Sequence, residues 1–376
     1  MAATSSVLGT LPGAVSDPDS STGIAWHYGD PLGEQRAAST GAALLDLTTR
    51  PVYALTGPDA RNWLHSLATQ AVEDLTPGDA RQALLLSPTG HVEHHLWVTA
   101  VPGEPDPVLY LDTEPGRGAA LADFLESMKF WSKVELAPAP VALLRLIGPR
   151  AGELAAAVAD PVFVRSSGTD AVDVAVQQDS LPTVVRTLLD AGARAAGSWA
   201  ADALRIERRE PRVGVDTDER TIPNEMPWLT TAVHLHKGCY RGQETVARVH
   251  NLGRPPRRLV LLNLDGSVDR LPAVGSAVVI GAGSPGAGKT VGVVGTVAQH
   301  YEDGPVALAL VKRSLPQDIP LLADGVDAAM DPADFAQHGD PAGPDGASTE
   351  PGGAATGAPR SAIDHRAFAA VRRPRR

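Results

Sequence analysis

The sequence predicts an α+β chain: two related α+β units followed by a small antiparallel β-barrel. Three observations predict it. An apolar strand, a Gly-Pro break and a helix occur twice, as "VYALTGPDARNWLHSLA" from Val52 and "VALLRLIGPRAGELAAAV" from Val141. Each copy is followed by a further strand and helix, which suits a duplicated α+β unit. After Pro255-Pro256, which forbids a helix, come short Val- and Leu-rich runs broken by glycines, the spacing of small-barrel strands.

The elements follow in order. Residues 1–23 read as a flexible lead-in. In the first unit, 24–138, Ala60, Trp63, Leu64 and Leu67 fall at i, i+3, i+4 and i+7, one apolar helical stripe. Strands are expected at 83–87, 92–101 and 108–112. A second helix over 119–130 would bury Leu121, Phe124, Leu125 and Met128. In the second unit, 139–254, "VDVAV" gives a strand and "LPTVVRTLLDAG" a helix. The barrel is expected over 255–316, from "LVLLNL", "SAVVIG", "VGVVGTVA" and "VALALV". From 317 the composition turns to Asp, Pro, Gly and Ala, so 317–376 reads as a disordered tail.

Bulk properties exclude several function classes. The net charge of −11 argues against general binding to nucleic acid or anionic membrane. The single cysteine cannot form an internal disulfide or by itself hold a structural metal or iron–sulfur cluster. The N-terminal residues lack a basic start and a continuous apolar core, so no signal peptide is read there and the expected location is cytoplasmic. "GSPGAGKT" (283–290) satisfies the phosphate-loop pattern G-x-x-x-x-G-K-[ST]. That chemistry needs a helix after the lysine, and "VGVVGTVA" reads as a strand, so an ATPase is not expected.

The lone cysteine lies in "KGCYRGQETVARVH", 237–250. Between Met226 and Arg258 there are six Lys or Arg and one acid, Glu244. Gly238 and Gly242 bracket Cys239, and "GQETVARVH" reads as a helix start with Glu244 in its first turn. Cations and helix amides both favour a thiolate, so Cys239 is a candidate reactive thiol; a buried structural cysteine is the alternative. Upstream, Glu225 precedes Trp228, and a buried carboxylate can accept two parallel N–H bonds from a 2-amino-pyrimidinone edge. His91, His94 and His95 read as a polar strand surface, and no metal is expected.

Together these residues resemble a known group. "KGCYRGQE" (Lys237, Gly238, Cys239, Tyr240, Arg241, Gly242, Gln243, Glu244) resembles the K-G-C-[FY]-x-G-Q-E signature of YgfZ-type folate-binding proteins. The wider chain, from about Trp26 to Arg313, is similar to the glycine-cleavage T-protein (aminomethyltransferase, GcvT-like) superfamily, through "LTGPDA", "LLLSPTGHVEHHL", "ALRIE", "TIPNE", "RRLVLL" and "ALALVKR".

The resemblance implies a ring of three domains around a central pocket for tetrahydrofolate or a derivative. It implies that Glu225 holds the pterin and that Arg205, Arg258, Trp228, Tyr240 and Arg241 contribute to folate binding. It further implies that Cys239 acts in a folate-dependent accessory role, with iron–sulfur proteins or their assembly factors as partners. T-proteins carry an acidic pair where this chain has His94 and His95. A folate-dependent aminomethyl or one-carbon transferase, with His95 or Cys239 replacing the acid, is the alternative function. Either reading expects a positively biased cavity at the junction of the three lobes, with the sulfur within its reach.

Overall fold

The computed structural model describes residues 6–17 and 22–336. A ribbon of β1 (Val15–Ser16) and β2 (Ala25–His27) leads into α1 (Pro31–Thr40). Proline opens α1 where no N–H is needed, and the Asp30 carboxylate accepts a hydrogen bond from the Gly33 amide at 3.0 Å. The lead-in is not loose throughout. Leu8 is fully buried in the second unit's core, and the Ser6 hydroxyl donates to Asp46.

Two five-stranded sheets follow. In the first the order is β5 (Ala80–Leu86), β6 (Val92–Val101), β7 (Val108–Thr113), β4 (Val52–Thr56), β8 (Glu135–Pro138). In the second it is β10 (Phe163–Gly168), β11 (Ala171–Gln177), β9 (Val141–Ile147), β3 (Ala43–Asp46), β12 (Arg194–Ala196). Helices α2 (Ala60–Leu67) and α3 (Gly118–Ser127) bury their apolar stripes on the first sheet, Trp63, Leu64, Leu121 and Leu125 meeting Leu85, Leu96 and Val98. Helices α4 (Ala151–Ala156) and α5 (Leu181–Asp190) do the same on the second.

The repeated Gly-Pro break has a steric cause in both copies. Gly57 and Gly148 hold φ of 112° and 135°, where side chains are strained. A Cβ at Gly57 would lie 2.2 Å from the Lys133 oxygen, and one at Gly148 2.4 Å from the Gly41 oxygen. The breaker is a close backbone crossing built twice.

The expected boundary between units needs correction. Although β3 lies within 24–138, it pairs antiparallel with β9 and parallel with β12, so the first segment supplies a central strand of the second sheet. All four β3 residues are buried, as a strand covered on both faces must be.

Helix α6 (Ser198–Glu207) packs Ala203 and Ile206 into a cluster with Leu84 and Leu86 of the first sheet and Leu259 and Leu308 of the barrel. Short helix α7 (Trp228–Thr231) and α8 (Gln243–Leu252) complete the junction. The barrel closes in the order β13 (Arg257–Leu264), β16 (Gly304–Lys312), β15 (Thr290–His300), β14 (Ala277–Ile280), β17 (Leu321–Ala323), β18 (Val326–Met330).

Residues 317–336 are therefore not tail. They supply two barrel strands and α9 (Ala333–Ala336). The β17–β18 hairpin turns at Asp324-Gly325, with φ of 50° and 76°, the paired left-handed geometry that Asp-Gly favours in two-residue turns. The rest of the expected tail, 337–376, lies outside the described residues. Strand β15 begins directly after Lys289, so the "GSPGAGKT" loop joins two strands and a strand, not a helix, follows the lysine.

Candidate functional site

Between the two sheets the facing strands carry a charged lattice beside a small apolar cluster of Val52, Leu143 and Phe163. Arg165 on β10 is 3% exposed and reaches across to the first sheet. Its guanidinium donates to both oxygens of Asp112, to the Thr99 hydroxyl at 3.1 Å, and to Asp173 Oδ2 at 2.9 Å. It also lies 4.5 Å over the Trp97 ring. Arg145 donates to both oxygens of Asp173, at 2.6 and 3.1 Å. Burial would raise the Asp173 carboxyl, but the two guanidiniums outweigh it and hold it far below the usual range.

Of these residues Arg145 and Trp97 also line a cavity of about 660 Å³, within the range of small-molecule sites. The two sheets, the end of α6, residues 208–212 and α7 form its walls, and no barrel residue lines it. Six arginines and six carboxylates are among the lining residues. The expected positive bias is thus absent; the wall is charge-balanced because nearly every cation there meets a carboxylate. Arg205 lines it but donates to Asp216 at 2.9 Å and to the Thr296 hydroxyl. Its Nε, and that of Arg212, is buried without a hydrogen-bond partner in the structure, which leaves donors that a ligand could satisfy.

His95, Glu114, Gln82 and Trp228 form one end of the cavity. The His95 Nδ1 stands 3.0 Å from Glu114 Oε1 and Nε2 stands 3.0 Å from Gln82 Oε1. Trp228 stacks on the imidazole, with centroids 5.0 Å apart at 20°. Arg50 Nη1 donates to Glu114 Oε2 at 3.3 Å. Burial works to raise the Glu114 carboxyl; Arg50 and the His95 hydrogen bond prevail and hold it down to about 2.

The other sequence-derived candidates lie elsewhere. Glu225 is buried, but Arg257 donates to its two oxygens at 2.8 Å each and the Ile222 amide donates to it at 3.1 Å. Its carboxylate is consumed in holding a turn against the barrel, and it does not line the cavity. The cavity carboxylates from that stretch of chain are Asp202 and Glu207 on α6 and Glu210 just after it. Arg258 is also displaced: its guanidinium lies 3.9 Å over the Phe335 ring and donates to the Arg313 and Leu315 carbonyls.

The cysteine motif lies along the edge of the first sheet: its cations meet helices α2 and α3, while Tyr240 is buried in the junction cluster with Leu84, Leu86 and Trp228. Lys237 Nζ donates to the His65, Ala68 and Gln70 carbonyls, the first two at the C-terminal end of α2. Tyr240 is buried and lies 5.4 Å beneath that ammonium. Arg241 covers the Phe124 ring at 5.5 Å. Gly242, with φ 80°, presses against the Ser87 carbonyl and Gly90, where a Cβ would clash at 2.6 Å. Cys239 itself is exposed. The motif therefore displays a thiol to solvent, and neither Cys239, Tyr240 nor Arg241 is in the cavity wall.

The sequence missed Arg145 and Arg165 because charged residues on strands read as a solvated face, and Arg50 and Glu114 because they sit in loops next to strand ends. Among the described residues, no group of three or more His, Cys, Asp or Glu could hold a metal, and no helix is long and apolar enough to cross a membrane.

Residues 24–167 match the family described as the GCVT N-terminal domain. The crystal structure of glycine cleavage system aminomethyltransferase T from Bartonella henselae superposes with a TM-score of 0.71, covering 85% of this chain and 92% of that one at 20% identity. The fold is GcvT-like. An aminomethyltransferase of Synechococcus sp. (strain RCC307) is 28% identical over 318 residues, 76% of this chain and 83% of its own length. One from Symbiobacterium thermophilum is 26% identical over 311 residues, 72% and 78% of the two chains. These likenesses support the GcvT-like superfamily.

Proposed function

We propose that this GcvT-like chain is a tetrahydrofolate-binding accessory protein that acts in the assembly or repair of iron–sulfur proteins. The cavity carries the reading. A folate needs a carboxylate for the N–H-rich edge of its pterin, aromatic or apolar walls for its rings, and cations for its glutamyl tail. The cavity offers carboxylates at Asp202, Glu207 and Glu210, the Trp228 ring, and the guanidiniums of Arg205 and Arg212 with unpartnered Nε groups. The relatives named aminomethyltransferase support a folate ligand of this kind.

A binding role is favoured over aminomethyl transfer by the state of the cavity's acid–base groups. His95, where T-proteins carry an acid, has both ring nitrogens engaged, and Glu114 is held by Arg50. Both groups at this end of the cavity are thus engaged, which disfavours them as bases toward an amine. The iron–sulfur role rests on the likeness of Lys237–Glu244 to the YgfZ signature together with the outward display of Cys239.

Calorimetric titration with tetrahydrofolate tests the cavity. Trp228→Ala should weaken binding by about tenfold or more, the scale of a lost aromatic anchor, while Arg241→Ala, outside the cavity, should leave it unchanged. The reverse pattern would move the ligand to the motif and end the cavity reading. The accessory role fails if cells lacking the protein keep full activity of their iron–sulfur dehydratases.

A further inference from the structure

Glu114 and Gln82, two residues that no motif pointed to, set what His95 can do. Glu114 is ionised and presents only acceptor oxygens, so Nδ1 must donate to it. Nε2 faces the Gln82 amide oxygen, which also only accepts. With the Gln82 oxygen turned to the ring, the arrangement calls for an N–H at Nε2 as well as at Nδ1, on a ring lying flat against Trp228. The charges facing this end from neighbouring elements are Glu114 itself, Arg50 on the loop before β4, and Arg212 after α6, which also acts on Glu114.

We propose that His95 is a ligand-facing hydrogen-bond donor, with Glu114 as its positioning residue, and that the pair makes the cavity select a folate bearing an acceptor oxygen over one bearing a cationic iminium carbon. The inference rests on the folate reading of the cavity. Gln82 lines the same cavity, so a formyl oxygen that takes the place of its amide oxygen receives the same Nε2–H. An iminium carbon brought to that place meets the positive end of the same N–H, which repels it where it attracts an oxygen. No bond is made or broken in this step: selection follows from where one N–H points.

The test has two arms on the full-length protein. In the first, calorimetry compares 5-formyltetrahydrofolate with unsubstituted tetrahydrofolate. The expected result is a preference for the formyl form of about tenfold, the scale of a hydrogen bond from a charged donor, reduced severalfold in Glu114→Gln and abolished in His95→Phe. Equal affinity for the two ligands in the native protein overturns the selection. In the second arm, which needs no ligand, the ¹⁵N resonances of His95 at neutral pH report the ring. Two protonated nitrogens, with one lost in Glu114→Gln, support the pair. A neutral ring with hydrogen on Nδ1 alone means that Gln82 presents its NH₂, and overturns the proposal. If neither folate binds while both ring nitrogens are protonated, it is the folate reading that fails and the pair that stands. A cooperative unfolding transition retained in both variants excludes loss of fold as the cause.

Discussion

The charged lattice between the sheets and the cysteine motif are both rich in cations, yet they are built in opposite ways. In the lattice, Arg165 and Arg145 are matched to Asp112 and Asp173 at fully buried sites, crossing from one sheet to the other. In the motif, Lys237 and Arg241 meet backbone carbonyls, an aromatic face and a thioether of the first unit. The lattice joins two sheets by matching charge with charge; the motif's two cations are held by dipoles and rings. A positive run in sequence says nothing about which of these it will become.

Three experiments sharpen that contrast. Removing a lattice member should cost most. Arg165→Ala leaves Asp112 and Asp173 short of a partner at sites that are fully buried. A loss of about 3–5 kcal/mol is expected, the scale of a broken buried pair, read as a fall in the denaturant midpoint. A loss below about 1 kcal/mol would show that water reaches the seam between the sheets.

Acid separates the regions next. Burial, with Arg117 nearby, depresses His94 on the helix-covered face from 6.5 to about 4. The unfolded chain therefore takes up a proton first, and stability should fall as pH drops from about 6.5 towards 4. Glu114 in the cavity is held at about 2 against an ordinary 4.5, so its contribution is present above about 4.5 and lost as pH falls towards 2. His94→Gln should flatten the upper window alone and Glu114→Gln the lower. Overlapping windows would deny that the two faces of the first sheet titrate separately.

The smallest effect is expected at the thiol. Cys239→Ser changes an exposed atom on an anchored loop, so stability should move by no more than about 0.5 kcal/mol and folate affinity not at all. A large loss of affinity would bring the loop into the cavity.

What could be read from sequence follows the range of the interactions. The stripe Ala60, Trp63, Leu64 is local, and it is a helix. The Gly57 and Gly148 breaks are local, and each marks a tight crossing. The barrel's last hairpin was equally local, but the Asp324-Gly325 turn was masked by a composition that resembles a tail. The sheet membership of β3 depends on partners about a hundred residues away, which no periodicity shows. For the site, His95, Trp228 and Arg205 reach the cavity because they sit on strand or helix faces turned inward. Glu225 and Arg258 were equally plausible as polar residues, and only the positions of Arg257 and Phe335 decide that they are spoken for.

Because β3 is made early and completed late, the order of synthesis matters. As the chain leaves the ribosome, four apolar-rich residues at 43–46 emerge well before β9 at 141–147 and β12 at 194–196. Closing so long a loop is entropically slow compared with forming the first sheet's local hairpins. The nascent protein must carry an unmatched sticky segment past a finished neighbouring sheet, and a ribosome stalled before residue 147 would hold a half-molecule exposed to aggregation and to chaperones.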